Sequence, residues 1–234
     1  MRISIITFGK FHAFDLAREL KLQNCNISVY SSYPFFVAKK YNISFFEFKS
    51  FFLLKVIDKI TKRVYSRKLK LFFAFLVQFL IKPNQDFIIL WSDIPSFLLK
   101  RIKRKYNSKL IIERGSTHIL FQNKILKDEY KNLNKDFSID QNDTNNELIN
   151  YKLADFISIP SIFVKNTFIS QKIDENKLLI NPYGANLSKF YPLKENKNKR
   201  FQILTVGGAS VRKGLKYVFE SHKFIEGEFT HTHV

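Results

Sequence analysis

Cysteine is almost absent from this 234-residue sequence, because Cys25 is the only one. A single cysteine excludes an internal disulfide framework and fits a reducing compartment. We interpret Cys25 as a small buried residue beside a strand rather than as a nucleophile. The sequence also lacks the regularly spaced Cys and His pairs of zinc sites.

Long apolar runs are missing too. The most apolar stretch, Leu71–Ile81, has eleven residues and includes one Gln, which is too short to span a bilayer. The N-terminal MRISIITFGK has the pattern of a β-strand, without a longer apolar region or a small-residue cleavage site. We therefore predict no signal peptide. We expect a cytoplasmic protein, soluble or peripheral on the inner face of the membrane.

Two common catalytic motifs are absent, namely a P-loop lysine and a G-x-S-x-G elbow. Ser161 has no His-Asp partnership around it, so we interpret it as a helix N-cap. His231 and His233 could hold a metal only loosely, and we interpret them as part of a frayed terminus. We predict no metal site and no cofactor.

Acidic residues are few beside basic ones: 20 against 39, for a formal net charge of +19. Such a charge favours nucleic acid, anionic lipid head groups or nucleotide phosphates as partners. The basic residues are spread along the chain without an RNA- or DNA-binding signature, which disfavours nucleic acid. The hydrophobic fraction of 45% is enough for a sizeable core and excludes global disorder.

What is present begins with alternating strands and helices. Arg2–Phe8 is a predicted strand ended by Gly9, and Ala13–Leu22 has helical spacing of its apolar residues. Strands at Asn26–Tyr30 and Ile43–Phe48 follow. This β-α-β opening predicts an α/β fold with a doubly wound parallel sheet, which binds ligands at the carboxyl ends of its strands. Later predicted strands are Asp86–Trp91, Lys109–Glu113, Asp155–Ile159 and Lys177–Ile180, and later helices are Pro95–Tyr106, Glu147–Leu153 and Ser161–Ile169. The polar stretch Asp136–Glu147 is predicted to contain a loop and a helix start.

The segment Phe51–Lys82 mixes aromatic and aliphatic residues with seven lysines and arginines before its last residue. We predict two helices with a basic break around Tyr65–Lys70. Two interpretations stay open. The helices could lie in a membrane interface and attract anionic lipid, or they could be an ordinary amphipathic pair packed on the sheet, with a solvated basic rim.

The stretch from Lys177 to Ser221 contains the most informative motifs. A polar linker with Pro and Lys separates two strand-like runs, Lys177–Ile180 and Phe201–Val206, and indicates a domain junction. The second run leads into Gly207-Gly208, then Arg212-Lys213-Gly214 and a helical pattern. Glycines that admit a close approach of the backbone, a helix start and two cations predict an anion-binding corner.

This combination resembles a known family. NPYGANLSKFYP, followed by a strand and GGxSxRKG, is similar to the domain junction of GT-B glycosyltransferases, most of all the retaining family 4 (the "glycosyl transferases group 1" sequences). Two positions depart from that pattern, with Asn186 where Asp is usual and Gly208 where Arg often stands. The resemblance implies a Rossmann-like GT-B N-terminal domain over residues 1–194. Residues 195–234 would be a linker and the first β-α unit of a truncated second Rossmann-like domain.

The resemblance also implies site residues. Donor-binding positions would be Gly9, Gly184, Gly207, Gly208, Arg212 and Lys213. Arg212 and Lys213 would neutralise the leaving diphosphate, with no metal needed. The loop Arg114-Gly115-Ser116-Thr117-His118 matches a closely similar family motif, Glu-Arg-Gly-Ser-x-His. There His118 would act catalytically by hydrogen-bonding the donor sugar or diphosphate.

The same loop and the one after the first strand would supply the acceptor side. His12, Arg114 and Ser116 would line it. In the other interpretation, His118 caps the following helix and Arg114 pairs with a carboxylate.

The implied function is a retaining, nucleotide-sugar-dependent transfer of a hexose to a glycan or lipid-linked acceptor. The paired glutamates that hold the donor in the family have no counterpart after Gly214, so we expect a truncated enzyme that could be inactive for this reason. The alternative is a non-catalytic basic α/β domain that binds a membrane surface or a partner glycosyltransferase subunit. A nucleic-acid-binding protein is the third hypothesis.

Overall fold

The computed structural model describes residues 1–185, 187, 190–191 and 201–234. Within these residues the chain divides into two compact units. The first unit comprises 1–120 and 139–182, and the second comprises 121–138 and the described part of 183–234. The predicted domain boundary at 194/195 and the unusual Asn186 lie outside the described residues, so the boundary stays a prediction.

The first unit is built on a seven-stranded parallel sheet, as the sequence predicts. Its spatial order is β3-β2-β1-β4-β5-β6-β7, so the order reverses between β1 and β4. Ile5 illustrates the centre of the sheet, since it pairs with Val29 on one side and Ile89 on the other. The strands are β1 Arg2–Thr7, β2 Asn26–Ser31, β3 Phe48–Ser50, β4 Phe87–Trp91, β5 Lys109–Glu113, β6 Phe156–Ile159 and β7 Leu178–Ile180.

Helices flank this sheet, and its central strands are buried on both faces. Ile3 to Thr7 of β1 are all buried, as a strand in a parallel sheet covered by crossover helices must be. The helices of the first unit are α1 Ala13–Leu22, α2 Phe35–Lys39, α3 Phe52–Ile60, α4 Ser66–Leu80, α5 Ser96–Lys105, α7 Gln141–Leu153 and α8 Ile162–Ile169, while α6 Ile119–Asn132 begins in the first unit and continues into the second. None of the helices in the described residues has the length and apolar character needed to cross a membrane.

Several predicted boundaries are wrong for identifiable local reasons. The strand predicted at Ile43–Phe48 is mostly a 3-10 turn, because Ser44 and Glu47 form a capping box and β3 begins only at Phe48. The break between α3 and α4 lies at Thr61–Tyr65 rather than at Tyr65–Lys70. Helix α7, by contrast, starts at Gln141, within the stretch Asp136–Glu147 where the sequence predicts a helix start, because the Asp140 side chain caps it by accepting from the N–H of Asn142.

The second unit contains a β-α-β unit: β8 Phe201–Thr205, α9 Leu215–Ser221 and β9 Phe229–His233. Strands β8 and β9 pair in parallel from Phe201–Phe229 to Thr205–His233. The prediction of a frayed terminus was therefore wrong. His231 and His233 lie in β9, where His231 Nε2 is 2.8 Å from Thr205 Oγ1 and His233 Nε2 is 2.7 Å from the carbonyl oxygen of Gly207.

Candidate functional site

The carboxyl edge of the large sheet gathers the loops that the sequence singles out in the first unit. The segment Gly9–His12 follows β1, Ser92-Asp93 follows β4, and Arg114–His118 follows β5. Strands β1, β4 and β5 are adjacent and parallel, so these loops emerge side by side at the point where the strand order reverses. This is the position where open α/β sheets bind ligands.

His12 and Glu113 form the central polar pair at this edge. His12 Nε2 lies 3.1 Å from Glu113 Oε1, and the side chain of Glu113 is 1% exposed against 29% for His12. Glu113 is the last residue of β5 and His12 is the N-cap residue of α1. A buried carboxylate thus lies next to the Nε2 atom of a partly accessible imidazole. Sequence reasoning selected His12 but not Glu113, although Glu113 opens the motif that contains Arg114 and His118.

An aromatic pair flanks this imidazole. The rings of Phe11 and Trp91 stack with centroids 6.2 Å apart, and the ring of His12 lies 5.1 Å from that of Trp91. Phe11 has φ = 41°, a left-handed conformation that is strained for a bulky residue, yet its side chain remains 58% exposed. A Cβ at Gly9 would come within 2.5 Å of the Phe11 ring. Gly9 is therefore needed for this placement of Phe11, and its predicted contact with donor phosphates stays a prediction.

A cavity of about 320 Å³ lies beside this loop, lined by residues that include Gly9, Lys10 and Phe11. Two ion pairs form part of its wall: Lys55 Nζ is 2.8 Å from Asp58 Oδ2, and Lys70 Nζ is 2.7 Å from Asp93 Oδ2. Burial lowers the pKa of Lys70, but the Asp93 carboxylate outweighs this effect and raises the pKa above its usual value. With Lys10 and Arg63, the lining carries four cations against two carboxylates.

A second cavity of about 490 Å³ shares Arg63, Ser66, Lys70 and Asp93 with the first and extends along α7. Its other lining residues include Asp140 and Asn146. The two cavities together make a concave polar surface at the carboxyl edge of the first unit, large enough for a sugar or a similar polar group.

Arg114 is buried in a polar network. Its Nη1 lies 2.8 Å from Glu147 Oε1, and its Nε and Nη2 donate to the carbonyl oxygen of Thr117. The Tyr151 hydroxyl donates to the other oxygen of Glu147. Burial raises the pKa of Glu147 even though the Arg114 charge opposes the shift. Arg114 thus pairs with a carboxylate, as one of the two interpretations predicts. Ser116 lies half-buried in the same loop, and its acceptor role stays a prediction.

His118 is also buried, with a side chain in an aromatic environment. Its ring lies 5.1 Å from that of Tyr151 and 5.0 Å from that of Phe168, and the residue is 1% exposed. The Nδ1 atom accepts from the N–H of Leu120 at 3.3 Å, a capping contact at the start of α6. Burial lowers the pKa of His118 to about 4, with a smaller contribution from the Arg114 charge. Its role towards a donor sugar stays a prediction.

The predicted donor residues other than Gly9 belong to the second unit. The N–H of Gly207 donates to the carbonyl oxygen of Val234 at 2.7 Å, so this group extends the pairing of β8 with β9 rather than facing a ligand. Gly207 has φ = 137°, and the side chain of Lys213 passes 3.8 Å from the position of a Cβ there. Arg212 and Lys213 lie on a 3-10 turn that ends at Gly214, where φ is 67°. The structure thus brings Gly207 and Lys213 together, whereas none of the described residues places an atom within 4 Å of a Cβ position at Gly184 or Gly208.

Metal-binding clusters of three or more His, Cys, Asp or Glu side chains do not occur among the described residues. The contacts described above, at the edge of the large sheet and around Gly207, are ion pairs, hydrogen bonds and contacts between aromatic rings.

Comparison with solved structures identifies the architecture. The chain is similar to the glycotransferase of kitacinnamycin, with a TM-score of 0.56 and 10% identity over 99% of this chain and 65% of that one. It is also similar to the UDP-GlcNAc 2-epimerase from Neisseria meningitidis bound to UDP-GlcNAc, with a TM-score of 0.50 and 13% identity over 100% of this chain and 65% of that one. The fold is a Rossmann-like GT-B fold.

At 10% and 13% identity, the similarity to these two structures establishes the fold but not the function. The chain spans about 65% of the length of each of the two proteins. No protein-family model matches the sequence, and no curated protein matches it. The assignment to family 4 therefore stays a prediction from the junction motifs.

Proposed function

We propose that the protein is a glycosyltransferase that moves a hexose from a nucleotide sugar to a hydroxyl of a glycan or lipid-linked acceptor. The observation that carries the proposal is the His12–Glu113 pair at the carboxyl edge of a GT-B fold, beside a polar cavity. Open α/β sheets place their ligands at this edge. An imidazole oriented by a buried carboxylate is a frequent general base.

The first unit would hold the acceptor. Transfer of a sugar to a hydroxyl requires removal of the hydroxyl proton, and His12 is the group at the edge with suitable chemistry for that step. Glu113 acts through His12 as a positioning residue, since it is buried and contacts the imidazole. Phe11, stacked on Trp91 and 58% exposed, offers an apolar surface to the acceptor next to this imidazole.

The second unit would hold the donor. Arg212 and Lys213 would place two positive charges near the diphosphate, where negative charge develops as the sugar leaves. The side chain of Lys213 passes 3.8 Å from the Cβ position of Gly207, so a phosphate bound on this side of the glycine would lie near the lysine ammonium. Donor binding by this pair follows from the GT-B resemblance and the local geometry together.

The stereochemical course is a separate part of the proposal. The family-4 resemblance implies that the anomeric configuration is retained. A general base at the attacking hydroxyl is instead what a single, inverting displacement uses. The configuration of the product, measured by proton NMR, distinguishes the two courses.

The donor experiment is calorimetric titration of the chain with UDP, GDP and their hexose conjugates. We expect the double variant Arg212→Ala/Lys213→Ala to abolish nucleotide binding. The matched control is Lys216→Ala/Lys223→Ala, which removes the same charge from the same unit. An unchanged affinity in the Arg212/Lys213 variant would contradict the assignment of these two residues to the donor site.

The reaction experiment follows release of the nucleoside diphosphate and, by NMR, the fate of the sugar. We expect His12→Ala to lower turnover by roughly a hundredfold, the contribution of a general base. Glu113→Gln should be intermediate, and Glu19→Gln, an exposed residue of α1, should leave turnover unchanged. Accumulation of an epimerised nucleotide sugar without transfer would mean that the protein is an epimerase and not a transferase. Equal rates for His12→Ala and the parent would remove His12 from the mechanism.

A further inference from the structure

The outward faces of α3 and α4, with the segment Thr61–Tyr65 that joins them, form what we call the α3–α4 surface. Helix α3 buries Leu54 and Asp58, one turn apart, and α4 buries Phe73, Ala74 and Val77. The opposite faces of such helices are normally polar in a globular protein. Here they carry large apolar side chains that are 49–76% exposed: Leu53, Ile60, Val64, Phe72, Phe75 and Phe79.

The joining segment adds exposed apolar side chains to this surface. Lys62 and Arg63 both have left-handed backbones, with φ of 46° and 67°. Two consecutive non-glycine residues in this region are strained, and such strain collects at functional segments. The residues that follow are Val64, 76% exposed, and Tyr65, 50% exposed. The ammonium of Lys68 lies 5.6 Å from the centroid of the Tyr65 ring.

Helices α3 and α4 and the segment that joins them contribute mainly positive charge beside the apolar residues. Asp58 is the only acidic residue between Phe52 and Lys82, and it is buried against Lys55. Lys59, Lys62 and Lys68 are exposed and, among the described residues, form no ion pair with a carboxylate. Exposed apolar groups bordered by unpaired cations complement a surface that is anionic outside and apolar beneath.

We propose that the α3–α4 surface docks on an anionic lipid bilayer. Val64, Phe72, Phe75 and Phe79 enter the interface while the lysines contact lipid phosphates. Each basic residue near such a surface contributes attraction that falls off within a Debye length, so the contact is sensitive to salt.

The position of this surface bears on the acceptor. Arg63 and Ser66, in and directly after the joining segment, also line the cavity beside Gly9 and Phe11. The acceptor cavity therefore opens next to the docking surface, which favours a lipid-linked acceptor. This consequence rests on the proposed transferase function, whereas the docking itself does not.

The test is co-sedimentation of the whole chain with vesicles of phosphatidylcholine containing or lacking phosphatidylglycerol. Three proteins are compared with the parent: a charge variant, Lys59→Glu/Lys62→Glu/Lys68→Glu; an apolar variant, Val64→Ser/Phe72→Ser/Phe75→Ser; and a control, Lys39→Glu/Lys40→Glu/Lys152→Glu. The control has the same net charge as the charge variant, with the changes on exposed lysines outside α3 and α4. Circular dichroism and thermal melting establish that each variant is folded.

We expect binding only to phosphatidylglycerol vesicles, with a partition coefficient at least about tenfold lower in the charge and apolar variants and within about twofold in the control. Equal losses in the charge variant and the control would mean a nonspecific charge effect and overturn the proposal. Absence of vesicle binding by the parent would also overturn it. A concentration-dependent dimer that the apolar variant dissociates, without vesicle binding, would assign the surface to a second copy instead. Because no nucleotide sugar is present, these outcomes are independent of the transferase assays.

Discussion

At the residue scale, the carboxyl end of β5 carries three neighbouring ionisable groups in different surroundings. Glu113 pairs with His12, Arg114 pairs with Glu147, and His118 lies among aromatic rings. Only the first of these pairs reaches a partly exposed side chain. Burial has opposite effects on the pKa values of Glu147 and His118. It raises the pKa of Glu147 and lowers the pKa of His118, because burial favours the uncharged form of each side chain.

His118 gives a prediction for the pH dependence of stability. Its pKa of about 4 in the folded protein lies below the value of 6.5 for an unperturbed histidine. Between these values the unfolded chain binds a proton that the folded protein does not, so the free energy of unfolding falls as the pH falls through this window. We expect His118 to contribute up to about 3 kcal/mol of this loss. Urea denaturation at several pH values measures it.

The comparison variant is His118→Gln, which cannot titrate. Its free energy of unfolding should change less between pH 6.5 and 4 than that of the parent, whatever its absolute stability. Parallel curves for the parent and His118→Gln would contradict the assigned pKa.

At the element scale, helix α7 supports the edge of the sheet through two asparagines. Asn150 is fully buried, and its Nδ2 donates to the carbonyl oxygens of Ser92 and Ile94 at 3.0 and 2.8 Å. Asn146 Oδ1 accepts from the N–H of Ser96 at 2.7 Å. The loop after β4 is therefore held by α7, and the same helix supplies Glu147 to Arg114. The asparagine contacts hold the loop that carries Asp93, which lines both cavities.

We expect Asn150→Ala to lower the free energy of unfolding by about 2–3 kcal/mol, because it removes two buried hydrogen bonds and leaves the Ser92 carbonyl without this donor. Asn145→Ala on the same helix is the control. Asn145 is exposed and bonds only to Gln141 among the contacts described, so its effect should stay within about 0.5 kcal/mol. Chemical denaturation measures both, and equal effects would contradict the role assigned to α7.

At the scale of the whole molecule, the two units differ in how much they bury. The core of the first unit includes 0% exposed residues on β1, β4, β5 and β6, such as Ile5, Ile88, Ile112 and Ile157. From Phe201 to Val234, in contrast, no residue is buried. Backbone hydrogen bonds with little apolar cover open at low free energy.

We expect the amides of β8 and β9 to exchange with deuterium at least about tenfold faster than those of β1 and β4, after correction for intrinsic rates. Hydrogen-exchange mass spectrometry of the whole chain measures this directly. Protection of β8 equal to that of β1 would show that the second unit gains stability from contacts other than those within its own β-α-β unit. A nucleotide that binds at Arg212 and Lys213 should slow exchange in this unit.

The sequence by itself determined the class of fold and the edge at which function is expected. Apolar runs of strand length alternating with helical spacing specify a parallel sheet, because both faces of each strand must be covered. The strand ends at Thr7, Trp91 and Glu113 were within one residue of their predictions. Hydrophobic periodicity did not locate the start of α7 or the end of α3, because a capping side chain and two left-handed residues set those boundaries.

Only the tertiary structure decided which of the polar residues meet. His12 and Glu113 are far apart in sequence, and they become neighbours because β1, β4 and β5 lie side by side. His118 and Arg114 follow the same strand as Glu113, yet both side chains are buried among residues of α7 and α8. The composition of α3 and α4 was compatible with two interpretations, and the outward direction of their apolar side chains depends on which face packs on the sheet. Pairing and burial arise from contacts between distant segments, and a local pattern does not contain that information.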